Sequence, residues 1–199
     1  MRRLWRYGAV VGLVTAGLVL AVPAGPAAYA RQGPHTQVHG RHRVHRDGHV
    51  HYGPWNMWIP SIGVNAPIAG LSAGRSGYAP VPSLSDAGEI GWWRFSARPG
   101  GSGNAVFVGH VDTYRGPAVF YNLYRLVPGN VIWVFRPPLR PVRYAVRWVK
   151  EIPKGNLATS TILGRTRLHR AWLITCGGAF NYATRSYVDN IIVSAQQLR

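Results

Sequence analysis

Residues 172–178 read WLITCGG, an apolar, strand-like run that ends abruptly in a thiol followed by two glycines. Cys176 in this run is the only cysteine of the 199-residue chain. A lone cysteine has no partner for an intramolecular disulfide, so it is a buried structural thiol, a free surface thiol or a nucleophile. Glycine lets the chain turn sharply and leaves room beside the sulfur, which favours the nucleophile and gives Gly177 a supporting role beside the substrate backbone.

Short apolar segments of the same kind recur along the chain. We expect strands over residues 55–59, 62–68, 104–108, 131–135, 142–149, 171–175 and 188–193. Residues 142–149 alternate, so that one face carries Val142, Tyr144, Val146 and Trp148. Glycine (24) and proline (15) are frequent, and helical periodicity is weak, with one or two turns expected near residues 117–126. Closely spaced strands with short helical insertions predict an all-β domain closed into a barrel.

The N-terminus has the pattern of an export signal. Arg2, Arg3 and Arg6 precede an apolar run over residues 8–22, and residues 28–30 (AYA) resemble a small-x-small cleavage site. The run is of signal-peptide length, so residues 1–30 are predicted to be a cleaved signal peptide or an uncleaved signal anchor. A signal anchor would hold the rest of the chain on the extracytoplasmic face of the cell membrane, and a cleaved signal peptide would release it as a secreted protein.

Residues 31–53 form a low-complexity segment that holds six of the eight histidines. A His-rich tract can bind metal. The irregular spacing here, with nothing to hold the segment rigid, favours a disordered linker instead. The folded domain is therefore expected over residues 54–199, with no metal and no cofactor.

The charge balance bounds the partners. The formal net charge is +17, from 23 basic and 6 acidic residues. Such a charge suits an exported protein near anionic lipid and cell wall. Helix-turn-helix, RNP and zinc-ligand spacings are absent from the sequence, so no nucleic-acid partner is expected.

Two histidines fall in the predicted folded domain. His110 follows the strand at residues 104–108, and strand ends that open onto loops are where a scaffold presents catalytic groups. His169 lies among arginines in a polar connector, which indicates a surface residue. His110 is thus the candidate partner of Cys176, with a structural histidine as the alternative.

Several runs resemble the sortases, the cysteine transpeptidases that anchor proteins to the Gram-positive cell wall. They are residues 109–112 (GHVD), 116–120 (GPAVF), 126–130 (LVPGN), 173–178 (LITCGG) and 58–64 (WIPSIGV). Residues 91–95 and 103–110 are similar to the actinobacterial class F subgroup. The resemblance spans about residues 55–195 and implies an eight-stranded closed β-barrel with short helical insertions.

The resemblance also implies roles. Cys176 would attack a peptide carbonyl to form a thioester. His110 would protonate the departing amine as general acid, with the His⁺–Cys⁻ pair a minor population. From its place before the nucleophile, Thr175 is expected to orient the substrate carbonyl through its hydroxyl or its backbone, with an ordinary β-branched strand residue as the alternative. No role is implied for Asp112, which we expect to be a loop or capping residue.

The oxyanion-stabilising arginine departs from the commonest pattern. In many sortases it begins the final strand, where this chain has Asp189 and Asn190. Arg185, in the loop before that strand, is the only arginine between Cys176 and the strand, and we assign the role to it.

The substrate implied is a secreted protein with a C-terminal LPxTG-type sorting signal, cleaved between Thr and Gly. The acceptor would be an amine of peptidoglycan or of its lipid-linked precursor, and pilus polymerisation stays open. An L,D-transpeptidase or another exported cysteine peptidase is one rival; the cysteine of an L,D-transpeptidase would follow a Ser/Thr-His-Gly run, unlike LITCGG. A non-catalytic cationic wall-binding module is the other, and it predicts an unreactive thiol.

Overall fold

The structure, a computed structural model, describes residues 50–73, 79–156 and 159–199. The predicted signal segment and most of the predicted linker lie outside these residues. Among the described residues, no helix has the length and apolar character needed to cross a membrane.

Strands dominate the described chain. The long strands are β1 (Val50–Ile59), β2 (Val64–Leu71), β3 (Ile90–Trp93), β4 (Gly103–Val108), β7 (Val131–Arg136), β8 (Leu139–Pro153), β9 (His169–Asn181) and β10 (Ser186–Gln197). Two short strands are β5 (Asp112–Thr113) and β6 (Gly116–Pro117). The helical elements are α1 (Thr159–Leu163) and single 3₁₀ turns at Pro60–Ile62, Leu84–Asp86, Leu123–Arg125 and Lys154–Asn156.

Across the described residues, eight of these strands close into a barrel in the order β1-β2-β3-β4-β9-β10-β8-β7. Pairing of β7 with β1 closes the ring. β2 pairs with β3 and β4 with β9 in parallel, and the other neighbours in this barrel are antiparallel. The prediction of an all-β closed barrel is confirmed. Because β4 and β9 run in the same direction, residues at their C-terminal ends meet at one edge of the barrel.

Alternating side chains of the strands build two apolar clusters. The cluster inside the barrel contains, among others, Met57, Ile59, Phe107, Ile132 and Leu173, all at most 1% exposed. A second cluster lies on the opposite face of β4, β9 and β10, under α1. Its members include Val106, Val108, Ile162, Trp172 and Ile174. Burial on both faces explains why residues 172–174 are apolar without alternation.

The expected face of β8 holds only as far as Val146. Val142, Tyr144 and Val146 face the interior cluster, but the pairing with β10 slips between Val146 and Trp148. This bulge adds a residue to β8 and exchanges its two faces beyond that point. Trp148 consequently packs on the outer cluster, 5.4 Å from Trp172, and Val149 packs on the interior one.

Three local expectations need correction. β1 begins at Val50 and pairs with β2 from there, so the strand extends into the predicted linker. β3 was not predicted, because four residues between loops give too little pattern. The turns expected near residues 117–126 amount to one 3₁₀ turn at Leu123–Arg125.

Candidate active site

The register of β4 and β9 brings two predicted site residues to one place. The strands pair residue for residue from Gly103 with His169 to Val108 with Ile174. The amide of Gly109 then donates to the carbonyl of Ile174 at 3.1 Å. His110 and Cys176 follow at equivalent positions on adjacent chains, which run about 4.8 Å apart in a sheet. Continuation of the parallel register therefore places residues 110 and 176 at neighbouring positions, and both line the same cleft.

A hydrogen bond from outside the barrel orients His110. Its Nε2 lies 2.8 Å from the carbonyl oxygen of Pro82, in the segment that precedes the Leu84–Asp86 turn. A carbonyl only accepts, so we assign the proton of the neutral ring to Nε2. The backbone carbonyl of His110 also accepts from the amide of Phe120 at 3.0 Å. Nδ1 is then the ring nitrogen left for acid–base work.

Thr175 holds two strands together. Its side chain is 3% exposed, and its hydroxyl donates to the carbonyl of Gly109 at 2.8 Å. The single hydroxyl proton is engaged there, so only the backbone of Thr175 is left to orient a substrate carbonyl. The side chain of Thr175 instead fixes the residue before His110 against the residue before Cys176.

Gly177 is required by packing. A Cβ at this position would lie 2.7 Å from Cγ1 of Ile191, which is in the interior cluster. The space that a Cβ of residue 177 would occupy is thus filled by Ile191, so glycine is needed for packing at this position. Gly177 is buried, and its pairing partner in β10 is Asp189.

Arg185 lies in the turn that joins β9 to β10. The turn is closed by pairing of Asn181 with Ser186, and the Asn181 Oδ1 accepts from the amides of Ala183 and Thr184 at 2.9 and 3.2 Å. Arg185 itself has φ = 51°, a left-handed conformation that is uncommon outside glycine. The turn presents an exposed guanidinium, a permanent cation, at the edge of the site.

One cleft of about 530 Å³ collects His110, Cys176 and Arg185. Cys176 is half-buried, so its sulfur is accessible from this cleft. Aromatic side chains supply much of the remaining wall: Tyr114, Phe180, Tyr182 and Tyr187. The three residues predicted to carry the chemistry are brought together, whereas Thr175 and Gly177 support the strand beneath them.

A contact across this cleft was not anticipated. The hydroxyl of Tyr187 donates to Oδ2 of Asp112, whereas we had expected Asp112 to be a loop or capping residue. The hydrogen bond to the carboxylate, followed by burial, raises the pKa of Tyr187 to about 12. The one sequence signal for it is that Asp112 lies two positions after His110, on the same side of an extended chain.

His169 lies far from this cleft. It begins β9, the strand that carries Cys176 near its other end, and its Nδ1 is 3.2 Å from the carbonyl of Gly100. It is half-buried rather than a plain surface residue. His110 is the histidine that shares a cleft with the thiol.

Known proteins share this domain. The model of a family described as the sortase domain matches residues 57–198. A lid mutant of sortase A from Corynebacterium diphtheriae is 19% identical, with a TM-score of 0.55 over 73% of this chain and 69% of that chain. A sortase D5 transpeptidase from Clostridium perfringens is 21% identical, with a TM-score of 0.55 over 73% and 78%.

The Pilus Island 1 sortase C2 from Group B Streptococcus is 21% identical, with a TM-score of 0.57 over 75% of this chain and 76% of that chain. At such identities, the structural likeness concerns the fold. No curated protein matches the chain.

Proposed function

The chain belongs to the sortase family, and on that premise we propose that it is an extracytoplasmic, class F-like sortase with Cys176 as nucleophile. Family membership implies transpeptidase activity. The observation that best supports the assignment is that His110, Cys176 and Arg185 line one cleft. The class F assignment rests on the resemblance of residues 91–95 and 103–110.

The first half-reaction transfers an acyl group to the enzyme. The Cys176 thiolate attacks the threonine carbonyl carbon of an LPxTG-type signal, and a C–S bond forms. The negative charge that develops on the carbonyl oxygen is stabilised by the Arg185 guanidinium. His110 gives a proton from Nδ1 to the glycine nitrogen as the C–N bond breaks. The products are a thioester on Cys176 and a free glycine amine.

The second half-reaction returns the enzyme to its starting state. An amine of peptidoglycan or of its lipid-linked precursor attacks the thioester carbonyl and loses a proton to Nδ1 of His110. The C–S bond breaks, and the Cys176 thiolate is released with the new amide. In both half-reactions Nε2 stays protonated and hydrogen-bonded to the Pro82 carbonyl, so this bond orients the ring throughout.

The surroundings suit this chemistry. Asp112 is the one acidic residue among those that line the cleft, and Tyr187 occupies one of its oxygens. The cleft therefore offers a cation and aromatic surface to an extended peptide. Residues 1–30 would hold the domain at the membrane or export it, close to sorting signals and wall precursors.

A peptide assay tests the proposal. The full chain is incubated with a fluorogenic LPxTG-type library, with and without candidate amines, beside a Cys176→Ala variant. Cleavage in the wild type and an amide product when amine is added are the expected results. A wild type that cleaves no member of the library, or a Cys176→Ala variant that cleaves as well, would contradict it.

A further inference from the structure

The contact between Tyr187 and Asp112 joins the two halves of the cleft. Asp112 belongs to the segment of residues 109–119, here called the histidine loop. Tyr187 belongs to the β9–β10 hairpin, which also carries Cys176 and Arg185. One side-chain hydrogen bond thus connects residues 75 positions apart in sequence.

The histidine loop is tied to the rest of the domain at its two ends. At its start, Gly109 bonds to β9 through its amide, to Ile174, and through its carbonyl, to Thr175. At its end, the amide of Val119 donates to the carbonyl of Ala87 at 3.1 Å. Between these points, Nε2 of His110 bonds to the carbonyl of Pro82, and the described strands β5 and β6 pair only with each other. The bond from Asp112 to Tyr187 is the contact that holds this part of the loop against the hairpin.

The partner hydroxyl is itself well placed. The ring of Tyr187 packs edge-on against Phe180, its pairing partner in β9, with centroids 5.1 Å apart. Phe180 in turn packs against Tyr182 at 5.2 Å. The Tyr187 hydroxyl is protonated near neutrality, and its bond to Asp112 is the main reason that its pKa is raised to about 12. A donor fixed by packing and a carboxylate acceptor make a charge-assisted hydrogen bond, which is stronger than a neutral one.

We propose that Asp112 and Tyr187 are a positioning pair that, in addition to the contacts of Gly109 with β9 and of His110 with Pro82, keeps the histidine loop closed on the hairpin and so maintains the separation of His110 from Cys176 and Arg185. Neither side chain contacts the reacting atoms in this proposal. The pair acts through the histidine loop, whose first residues carry His110, and through the hairpin that carries the thiol and the cation. The inference deepens the proposed function and rests on it.

The physical basis is the distance dependence of proton transfer. A general acid must come within hydrogen-bond reach of the leaving nitrogen. A misplacement of about 1 Å can cost roughly 100-fold in rate. Loss of the bond lets the histidine loop move away from the hairpin, which slows acylation while the aromatic wall for peptide binding is kept.

Tyr187→Phe is the most direct variant, because it removes one oxygen and keeps the ring that packs on Phe180. We expect kcat to fall about 10- to 100-fold with KM changed less than threefold. Asp112→Ala should match it, and the double variant should be no slower than either single one, since both remove the same bond. Asp112→Asn keeps an acceptor oxygen and should recover kcat to within about threefold of the wild type.

Tyr124→Phe is the matched control. Its hydroxyl accepts from Nε of Arg125, it is exposed, and it does not line the cleft. It should leave kcat unchanged. The melting temperature of each variant should stay within about 4 °C of the wild type, as expected for a change near 1 kcal/mol. If Tyr187→Phe and Asp112→Asn lose kcat to the same extent, and both also lose melting temperature, the role of the pair is purely structural.

A second measurement does not depend on turnover. Alkylation of Cys176 by a bulky maleimide should be at least fivefold faster in Tyr187→Phe and Asp112→Ala, because the cleft opens. It should be unchanged in Asp112→Asn and Tyr124→Phe. Unchanged alkylation and kcat in Tyr187→Phe would overturn the inference alone. An inactive wild type would count against the proposed function, and the alkylation rates would still decide whether the pair holds the cleft.

Discussion

At the scale of single residues, the site depends on which face of two parallel strands each side chain occupies. Val108 and Ile174 pack on the outer cluster, so alternation directs His110 and Cys176 to that same face. Thr175, one position away, is buried on the interior side and clamps Gly109. Of these two neighbouring residues, Cys176 is therefore placed for chemistry and Thr175 supports the strands.

His110→Ala should lower kcat/KM by about 10²–10⁴-fold, the usual worth of general acid–base catalysis. His169→Ala is its control, because His169 begins β9 away from the cleft and contacts Gly100. Steady-state kinetics with a sorting peptide measures both. A greater loss of kcat/KM in His169→Ala than in His110→Ala would mean that His110 is not the catalytic histidine.

Thr175→Val separates the observed role of Thr175 from the expected one. Valine keeps the branched shape but removes the donor to the Gly109 carbonyl, so the free energy of unfolding should fall by about 1–3 kcal/mol. Thr175→Ser should retain most of it. Chemical denaturation gives these values. A variant of wild-type stability with a large drop in kcat would restore the substrate-orienting role.

At the scale of elements, the β9–β10 hairpin carries most of the candidate site. It carries Cys176, Arg185 and Tyr187. Within it, Gly177 leaves room for the side chain of Ile191 on the paired strand. The hairpin is locally encoded, since Asn181 caps its turn and its strands pair directly across it. Its placement beside His110 depends on the distant strand β4.

Arg185→Ala should reduce kcat by roughly 10²–10³-fold, the cost of removing one oxyanion donor. Arg185→Lys should recover only part of it, because an ammonium lacks the planar guanidinium fork. The control is Arg143→Ala in β8, where Arg143 stacks over Trp133. That variant should stay within a few-fold of the wild type. Normal turnover in Arg185→Ala, with an inactive Arg143→Ala, would move the oxyanion role to β8.

The sequence predicts some of these elements better than others. Apolar runs such as residues 131–135 and 104–108 predict the positions of the strands, because the pattern of apolar residues in a strand is visible in the local sequence. The parallel pairing of β4 with β9 and the bulge near Trp148 were not predicted, since both depend on how distant strands meet. Tyr187 was missed for the same reason, because its partner Asp112 is brought close only by the closed barrel.

At the scale of the whole molecule, Tyr144 links the barrel interior to a loop at its edge. It is 1% exposed, and its hydroxyl oxygen accepts from the amide of Gly100 at 2.6 Å. Desolvation on burial raises the pKa of Tyr144 from 10.0 to about 12. The folded state therefore holds this proton more tightly than the unfolded state.

The raised pKa of Tyr144 makes the stability of the fold depend on pH. Below pH 10 both states are protonated and the stabilising contribution is complete; it is lost as pH rises from about 10 to about 12. The loss amounts to about 1–3 kcal/mol, because each unit by which the pKa is raised between 10.0 and about 12 corresponds to about 1.4 kcal/mol. Melting curves at pH 9 to 12 measure it. Tyr144→Phe should show a shallower fall, and an identical slope in both proteins would refute the assignment.

If Cys176 is the nucleophile, it carries the acyl group between the two half-reactions, and mass spectrometry can detect that thioester. The full chain is mixed with an LPxTG-type peptide without acceptor amine, quenched in acid, and mapped by proteolysis. We expect a mass increase equal to the peptide acyl fragment, located on Cys176, released by hydroxylamine, and absent in Cys176→Ala. An adduct on another residue, or peptide cleavage that persists in Cys176→Ala, would contradict it.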